Sequence, residues 1–166
     1  MQRITPNLWC HGTAADAGAF YASVFPETTS AVTARYPETG LPEFQRDYAG
    51  KELVVDVDIH GYRVRLINAG NEFRPTPALS FMVTVDPRHF GGDASDDSGA
   101  RAAIDRIWAA LADGGVVLMP LDAYPFSPRF GWLADRYGVS WQLMLPDGDG
   151  DEIPFIAPHF LFTGAQ

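Results

Sequence analysis

The feature that most constrains the fold of this chain is a pattern that occurs twice. The sequence DIHGYRVRLIN covers residues 58–68, and DRYGVSWQLML covers residues 135–145. In each copy a glycine, Gly61 or Gly138, stands just before a run that alternates between the two faces of a strand. Arg65 and Gln142 each follow their glycine by four residues. A turn-and-strand pattern repeated at this distance predicts two related modules.

The segments ahead of the two copies support the same division. Residues 5–11 and 78–84 are both strand-like, and they align with Asn7 opposite Ser80. Apolar residues at helical spacing then predict one helix in each half, at 14–25 and 100–112. Alternating and β-branched runs predict the remaining strands at 29–36, 53–59, 62–68, 116–119, 131–135 and 140–145, with an irregular segment at 120–128.

These elements divide the chain into four segments. The first module is expected at residues 1–70 and the second at 78–146, each with the order strand, helix and three strands. A linker with two prolines is expected at 71–77, and an apolar tail broken by prolines at 147–166. The sequence therefore predicts one α+β domain built from two βαβββ modules.

Composition excludes several classes of function. The formal net charge is −9, which argues against nucleic acid as a partner because phosphate binding needs a basic face. No apolar run reaches the roughly 20 residues that span a bilayer, and the N-terminus lacks a signal sequence. The single cysteine, Cys10, excludes an internal disulfide and fits a reducing compartment. We therefore expect a soluble, cytoplasmic protein with no membrane partner.

Period-2 alternation gives each predicted strand one strongly apolar face and one mixed face. The apolar faces are expected to lie under the helices. A mixed polar and aromatic face predicts a small-molecule pocket, and a merely solvated face is the alternative. The candidate ligand-binding residues on the mixed faces are Asn7, Trp9, Arg63, Arg65, Ser80, Met82, Gln142 and Met144. Apolar walls are expected from Tyr124, Phe126 and Phe130, and a shifted register would bring in Asn68.

The quoted motifs carry a family resemblance. The opening ITPNLW and ADAGAFYASVFPET, the strand GYRVRLINAG and the ending GWLADRYGVSWQLML resemble the PhnB-like branch of the glyoxalase/bleomycin-resistance/dioxygenase (vicinal oxygen chelate) superfamily. That branch carries the name 3-demethylubiquinone-9 3-methyltransferase, and the resemblance extends through Pro146. It implies cupped sheets of mixed and antiparallel strands with helices on the outer face, a pocket inside the cup and a homodimer.

The resemblance also implies where a metal would bind. Enzymes of the superfamily hold a divalent metal with four corner ligands, mostly His, Glu or Gln. The corresponding positions here are Asn7, Arg65, Ser80 and Gln142. Only Gln142 has a common ligand type, and the guanidinium of Arg65 has no lone pair to offer a cation. A metal is therefore disfavoured, and no other cofactor is predicted.

His11 is the best candidate for a general base, because it ends the first strand; a structural or solvated histidine is the alternative. Arg63 and Arg65 share a face and could clamp a carboxylate or phosphate, or they could pair with Asp56 or Asp58. No nucleophile elbow, P-loop or dinucleotide fingerprint occurs.

The preferred expectation is a metal-independent protein that binds an unidentified small molecule. One alternative is an enzyme of the superfamily, such as a lyase, isomerase, dioxygenase or methyltransferase. The other is an interaction domain without a ligand.

Overall fold

The computed structural model describes residues 2, 4–93, 96–147, 151 and 153–162. It confirms an α+β fold with two open sheets of mixed strands. The chain forms two compact units, Met1–Arg74 and Pro75–Gln166. No helix in the described ranges is both long enough and apolar enough to cross a membrane.

The first unit contains one helix and four strands. Its sheet has the strand order β1-β4-β3-β2, in which β1 and β4 are parallel and the other pairs are antiparallel. A short 3₁₀ helix lies between β2 and β3. The elements are β1 (Asn7–Cys10), α1 (Ala14–Val24), β2 (Thr28–Arg35), the 3₁₀ helix (Glu43–Tyr48), β3 (Glu52–Ile59) and β4 (Tyr62–Asn68).

One face of this sheet is covered by α1, as the alternation predicts. The β3 side chains Val55, Val57 and Ile59 are almost completely buried beneath the helix, whereas Asp56 on the opposite face is half-buried. The helix packs closely because Gly18 has no side chain: a Cβ there would clash with the hydroxyl of Ser30 on β2. The opposite face of the sheet stays open within this unit.

The second unit repeats the same order of elements. The parallel pair β5 and β8 corresponds to β1 and β4, and the sheet order is β6-β7-β8-β5-β9. Helix α2 buries Ile104, Ile107 and Leu111, the residues whose spacing predicted it. The elements are β5 (Leu79–Thr84), a 3₁₀ helix (Pro87–Phe90), α2 (Ser98–Ala112), β6 (Val116–Tyr124), β7 (Ser127–Ala134), β8 (Ser140–Leu145) and β9 (Ile156–Phe160).

Two strand predictions in this unit were wrong, and proline is the reason for both. Strand β6 does not end near residue 119 but continues through Pro120 to Tyr124, so most of the segment expected to be irregular is extended. Pro120 is tolerated because β6 is an edge strand whose register shifts repeatedly against β7. The tail was not expected to form a strand, yet β9, which contains Pro158, pairs with β5 as the opposite edge. Residues 148–150, 152 and 163–166 of that tail lie outside the described residues.

The repeated glycine pattern is a turn that is closed by an aspartate. Gly61 and Gly138 both have a φ of 81°, a left-handed conformation that glycine adopts without strain. In the first unit, Asp58 Oδ1 accepts a hydrogen bond of 2.9 Å from the backbone N–H of Gly61. In the second, Asp135 closes the corresponding turn and also holds the indole of Trp141, with Nε1 2.8 Å from Oδ2. The sequence repeat thus reflects a shared turn that starts β4 and β8.

Candidate functional site

The first unit contains a cavity of about 550 Å³ near the C-terminal end of β1. Its wall is formed by the end of β1, the Glu43–Tyr48 3₁₀ helix with its flanking chain, and residues 69–73 after β4. Five aromatic side chains contribute to this wall: Trp9, Tyr36, Phe44, Tyr48 and Phe73. Aromatic rings are therefore prominent in the cavity wall.

One side of the cavity is built on Trp9. The indole Nε1–H donates a hydrogen bond of 2.7 Å to the carbonyl oxygen of Gly70. Phe73 meets the indole edge to face, with ring centroids 5.2 Å apart and an interplanar angle of 87°. Edge-to-face packing and the hydrogen bond together fix the orientation of Trp9. The 69–73 segment is thereby fastened to β1.

A second side is built on two tyrosines. Tyr36 and Tyr48 stack with centroids 5.2 Å apart and an interplanar angle of 21°. The hydroxyl of Tyr36 donates a 2.9 Å hydrogen bond to the carbonyl oxygen of Asn68. The pKa of Tyr36 is raised above its usual value, mainly because the phenol is buried and to a smaller extent because Tyr48 lies beside it. The hydroxyl therefore stays protonated and can donate.

Polar residues form a substantial part of the wall as well. His11, Gln45, Asn71 and Glu72 contribute side chains, and Glu72 carries the negative charge. No lysine or arginine occurs among the described residues that line the cavity. Of the predicted site residues, Trp9 and His11 line it.

Asn68 supports the cavity wall without lining it. Its Oδ1 accepts a 3.0 Å hydrogen bond from the backbone N–H of Ala14, at the start of α1. Its Nδ2 donates to the carbonyl oxygen of Glu52, at the start of β3, also at 3.0 Å. The side chain is only 6% exposed, so both of its polar atoms serve to join three elements.

The other predicted residues of the first unit lie on the open face of its sheet. Arg65 forms a two-pronged ion pair with Asp56 across β3 and β4, with contacts of 2.7 and 2.9 Å. Hydrogen bonding to Arg65 holds the pKa of Asp56 below its usual value. Asn7 Nδ2 donates to the carbonyl of Thr5, and Arg63 is exposed. Arg65 therefore forms an ion pair within the sheet, which was the alternative to clamping a carboxylate or phosphate.

The predicted residues of the second unit share the corresponding face of its sheet. Gln142 Nε2 lies 2.7 Å from Ser80 Oγ and 2.8 Å from His159 Nδ1. Gln142 and Ser80 are buried, whereas Met82 and Met144 are half-buried. His159 was missed because the tail was not expected to form a strand. The alternation in IAPHF at residues 156–160 is the signal that could have placed it.

The three predicted wall aromatics of the second unit form a cluster of their own. Tyr124 stacks on Phe126 at 5.6 Å, and Phe130 meets both rings edge to face at 5.8 and 5.1 Å. Phe126 is 58% exposed and Phe130 is 5% exposed. This cluster surrounds the β6–β7 turn, and the cavity of the first unit does not include it.

Among the corner positions expected for a metal, Arg65 does not suit a cation. Asn7 and Arg65 are neighbours in the β1–β4 register, but Arg65 brings a fixed positive charge that is already paired with Asp56. Gln142 directs its amide nitrogen at Ser80, so its Oε1 is the atom that could ligate a cation. Throughout the described part of the chain, no three or more His, Cys, Asp or Glu side chains are grouped to hold a metal.

The two units, each a βαβββ sheet with one helix on one face, define a glyoxalase-like α+β protein. A sequence model described as 3-demethylubiquinone-9 3-methyltransferase matches residues 2–144, and the chain belongs to that family. It is 35% identical to the PhnB protein from Bacillus cereus, whose structure superposes with a TM-score of 0.68 over 87% of this chain and 99% of the other.

Protein PA1353 from Pseudomonas aeruginosa shares the fold at 20% identity, with a TM-score of 0.66 over 89% of this chain and 100% of the other. No curated protein matches the chain.

Proposed function

We propose that this protein binds a small organic molecule without a metal ion, and that the cavity of the first unit is the binding site. The observation that carries the proposal is the aromatic wall of that cavity. Its volume of about 550 Å³ lies in the range of small-molecule pockets, and such pockets combine apolar rings with a few polar groups. Trp9 and Tyr36 are fixed by internal hydrogen bonds, which favours a preformed site.

A direct test begins with a thermal-shift screen of a compound library. A compound at a hundred times its dissociation constant raises the free energy of unfolding by about 2.7 kcal/mol. Compounds that shift the melting temperature are then titrated into Phe73→Ala and Phe126→Ala variants. Both side chains are exposed aromatics, but only Phe73 lines the cavity.

We expect Phe73→Ala to weaken binding about tenfold or more, because it removes ring surface beside Trp9 and loosens the indole. Phe126→Ala should leave the affinity within about twofold. A library that yields no binding compound would contradict the proposal and support the ligand-free alternative. Loss of affinity confined to Phe126→Ala would move the site to the second unit.

The metal-independent part of the proposal has a separate test. Protein treated with a chelator should keep its melting temperature and its ligand affinity, because Arg65 brings a permanent positive charge to the corner positions expected for a metal. Stoichiometric divalent metal in the purified protein, together with loss of binding after chelation, would refute it.

An enzyme of the superfamily is the second candidate, and the position of His11 favours it. His11 is exposed at the end of β1 and lines the cavity, so its imidazole could take a proton from a bound molecule. For any compound that is turned over, His11→Gln should abolish turnover and leave binding nearly unchanged. Unchanged turnover would remove His11 as the base.

A homodimer is also proposed, as the family resemblance implies. Sedimentation velocity at micromolar concentration distinguishes it from a monomer of 18.2 kDa.

A further inference from the structure

Two of the five aromatic side chains of the cavity have their polar ends turned to the protein backbone. Trp9 donates its indole hydrogen to Gly70, and Tyr36 donates its hydroxyl hydrogen to Asn68. These two rings therefore offer a ligand their carbon surface and π electrons, and their strongest hydrogen-bond donors are already used. Phe44 and Phe73 have no polar atoms in their side chains, so four of the five rings in the wall offer an anion no free hydrogen-bond donor.

The charge of the cavity also disfavours the binding of an anion. Glu72 contributes a carboxylate to the wall, and no lysine or arginine occurs among the lining residues that the structure describes. The carboxylate lies against the backbone of Gly70, where an added Cβ would clash with both of its oxygens. Gly70 is also the residue whose carbonyl holds Trp9. The negative charge is thus placed on the same short segment that fixes the indole.

From this arrangement, and resting on the proposed binding function, we infer that the cavity selects organic cations, with quaternary or delocalised nitrogen, over neutral and anionic molecules of the same shape. The faces of aromatic rings attract cations through their quadrupole, and Trp gives the strongest interaction. A carboxylate at the rim adds an attraction of longer range. Small metal ions are not expected, because one carboxylate cannot replace their hydration shell.

The test uses three molecules that share a bulky trimethyl head and differ in charge. Choline is the cation, 3,3-dimethylbutan-1-ol is its neutral carbon analogue, and 3,3-dimethylbutanoate is an anion of similar size. Binding is followed by the NMR signal of the Trp9 indole N–H, which is identified by its absence in Trp9→Phe. We expect choline to bind about tenfold more tightly than the alcohol, and the anion to bind most weakly.

Two carboxylate variants separate a local effect from the overall charge. Glu72→Gln removes the charge in the cavity wall, and Glu43→Gln removes an exposed charge in the first turn of the nearby 3₁₀ helix that does not line the cavity. Because Glu72 is itself exposed, its loss should weaken choline binding by a modest factor of about two to five, with no change for the alcohol. Glu43→Gln should leave the affinities for choline and for the alcohol unchanged.

Equal affinity for the three molecules, or an equal effect of the two carboxylate variants on choline, would overturn the inference. The inference would also be wrong if none of the three molecules shifted the Trp9 signal while other compounds from the screen bound in the cavity. In that case the proposed binding function would stand. If no compound of any charge bound there, both proposals would fail.

Discussion

The clearest prediction for this fold concerns Asp135, which closes the turn before β8. Its Oδ1 accepts hydrogen bonds from the backbone N–H groups of Tyr137 and Val139, at 2.8 and 3.0 Å. Its Oδ2 accepts the indole N–H of Trp141 at 2.8 Å. Asp135 is 4% exposed and Trp141 is 1% exposed, so water cannot easily replace the carboxylate. Asp135→Ala therefore leaves these donors without that acceptor.

The expected loss in the free energy of unfolding follows from counting the three hydrogen bonds that Asp135 accepts. Two of them are buried, and a buried donor that loses its partner costs about 1.5 to 2 kcal/mol. The half-buried bond to Tyr137 adds about 1 kcal/mol. We therefore expect Asp135→Ala to lower the free energy of unfolding by about 4 kcal/mol. With an m-value of about 2 kcal/mol per molar urea, the midpoint should fall by about 2 M.

Urea unfolding followed by tryptophan fluorescence measures this change, because Trp108, Trp132 and Trp141 all lie in the second unit. The matched control is Asp58→Ala at the corresponding turn of the first unit. There the carboxylate accepts one exposed hydrogen bond, from Gly61, so the loss should be about 1 kcal/mol.

Equal losses for Asp135→Ala and Asp58→Ala would refute the reasoning, because Asp135 accepts three hydrogen bonds, two of them buried, whereas Asp58 accepts one exposed bond. A double-mutant cycle with Asp135→Asn and Trp141→Phe gives a second check. Asparagine can keep the Oδ1 bonds to the backbone while losing the acceptor for the indole. The cycle should therefore show a coupling energy of about 1.5 to 2 kcal/mol, and a value near zero would contradict the assignment.

Two further predictions address the second unit. Hydrogen bonds from Arg88 lower the pKa of buried Asp86 from 3.8 to about 2, so Asp86→Asn should cost about 2 kcal/mol at pH 7. Because the folded pKa is the lower one, this stability is complete above about pH 5 and is lost as the pH falls to about 2 and below. Asp97→Asn is the control, because its side chain is more exposed than that of Asp86, and a pH-independent loss for Asp86→Asn would contradict the assignment. A Cβ on Gly131 would lie 2.5 Å from Trp108 Cζ3, so Gly131→Ala should cost about 2 kcal/mol in chemical unfolding. In a Trp108→Leu background the cost should fall below about 1 kcal/mol, and an unchanged cost would exclude this clash as the cause.

The sequence predicted the elements whose side chains alternate or repeat with a clear period. Strands β3, β4 and β8 and helix α2 lie close to their expected bounds because one face of each is packed into a core. The second half of β6 and the whole of β9 were missed because edge strands tolerate proline, which the local pattern treats as a breaker.

The candidate site was predicted only in part, for a related reason. Trp9 and His11, which line the cavity, were among the predicted residues because they share one face of the first strand-like run. Most of the remaining wall comes from the chain between β2 and β3 and from the predicted linker, which have no periodicity. Their contribution depends on the path of the backbone, and the hydrogen bond from Trp9 to Gly70 shows how that path is fixed.

The connection between the second and third strands differs sharply between the two units. In the first unit it runs from residue 36 to residue 51 and forms part of the cavity wall, whereas the equivalent connection in the second unit is residues 125–126. A duplicated gene can lengthen one copy of a surface loop at little cost in free energy, while the other copy keeps its short hairpin. The aspartate turns occur in both units, whereas the long connection occurs in the first. A change in the length of this connection would therefore alter the cavity wall while the sheets and their turns stay the same.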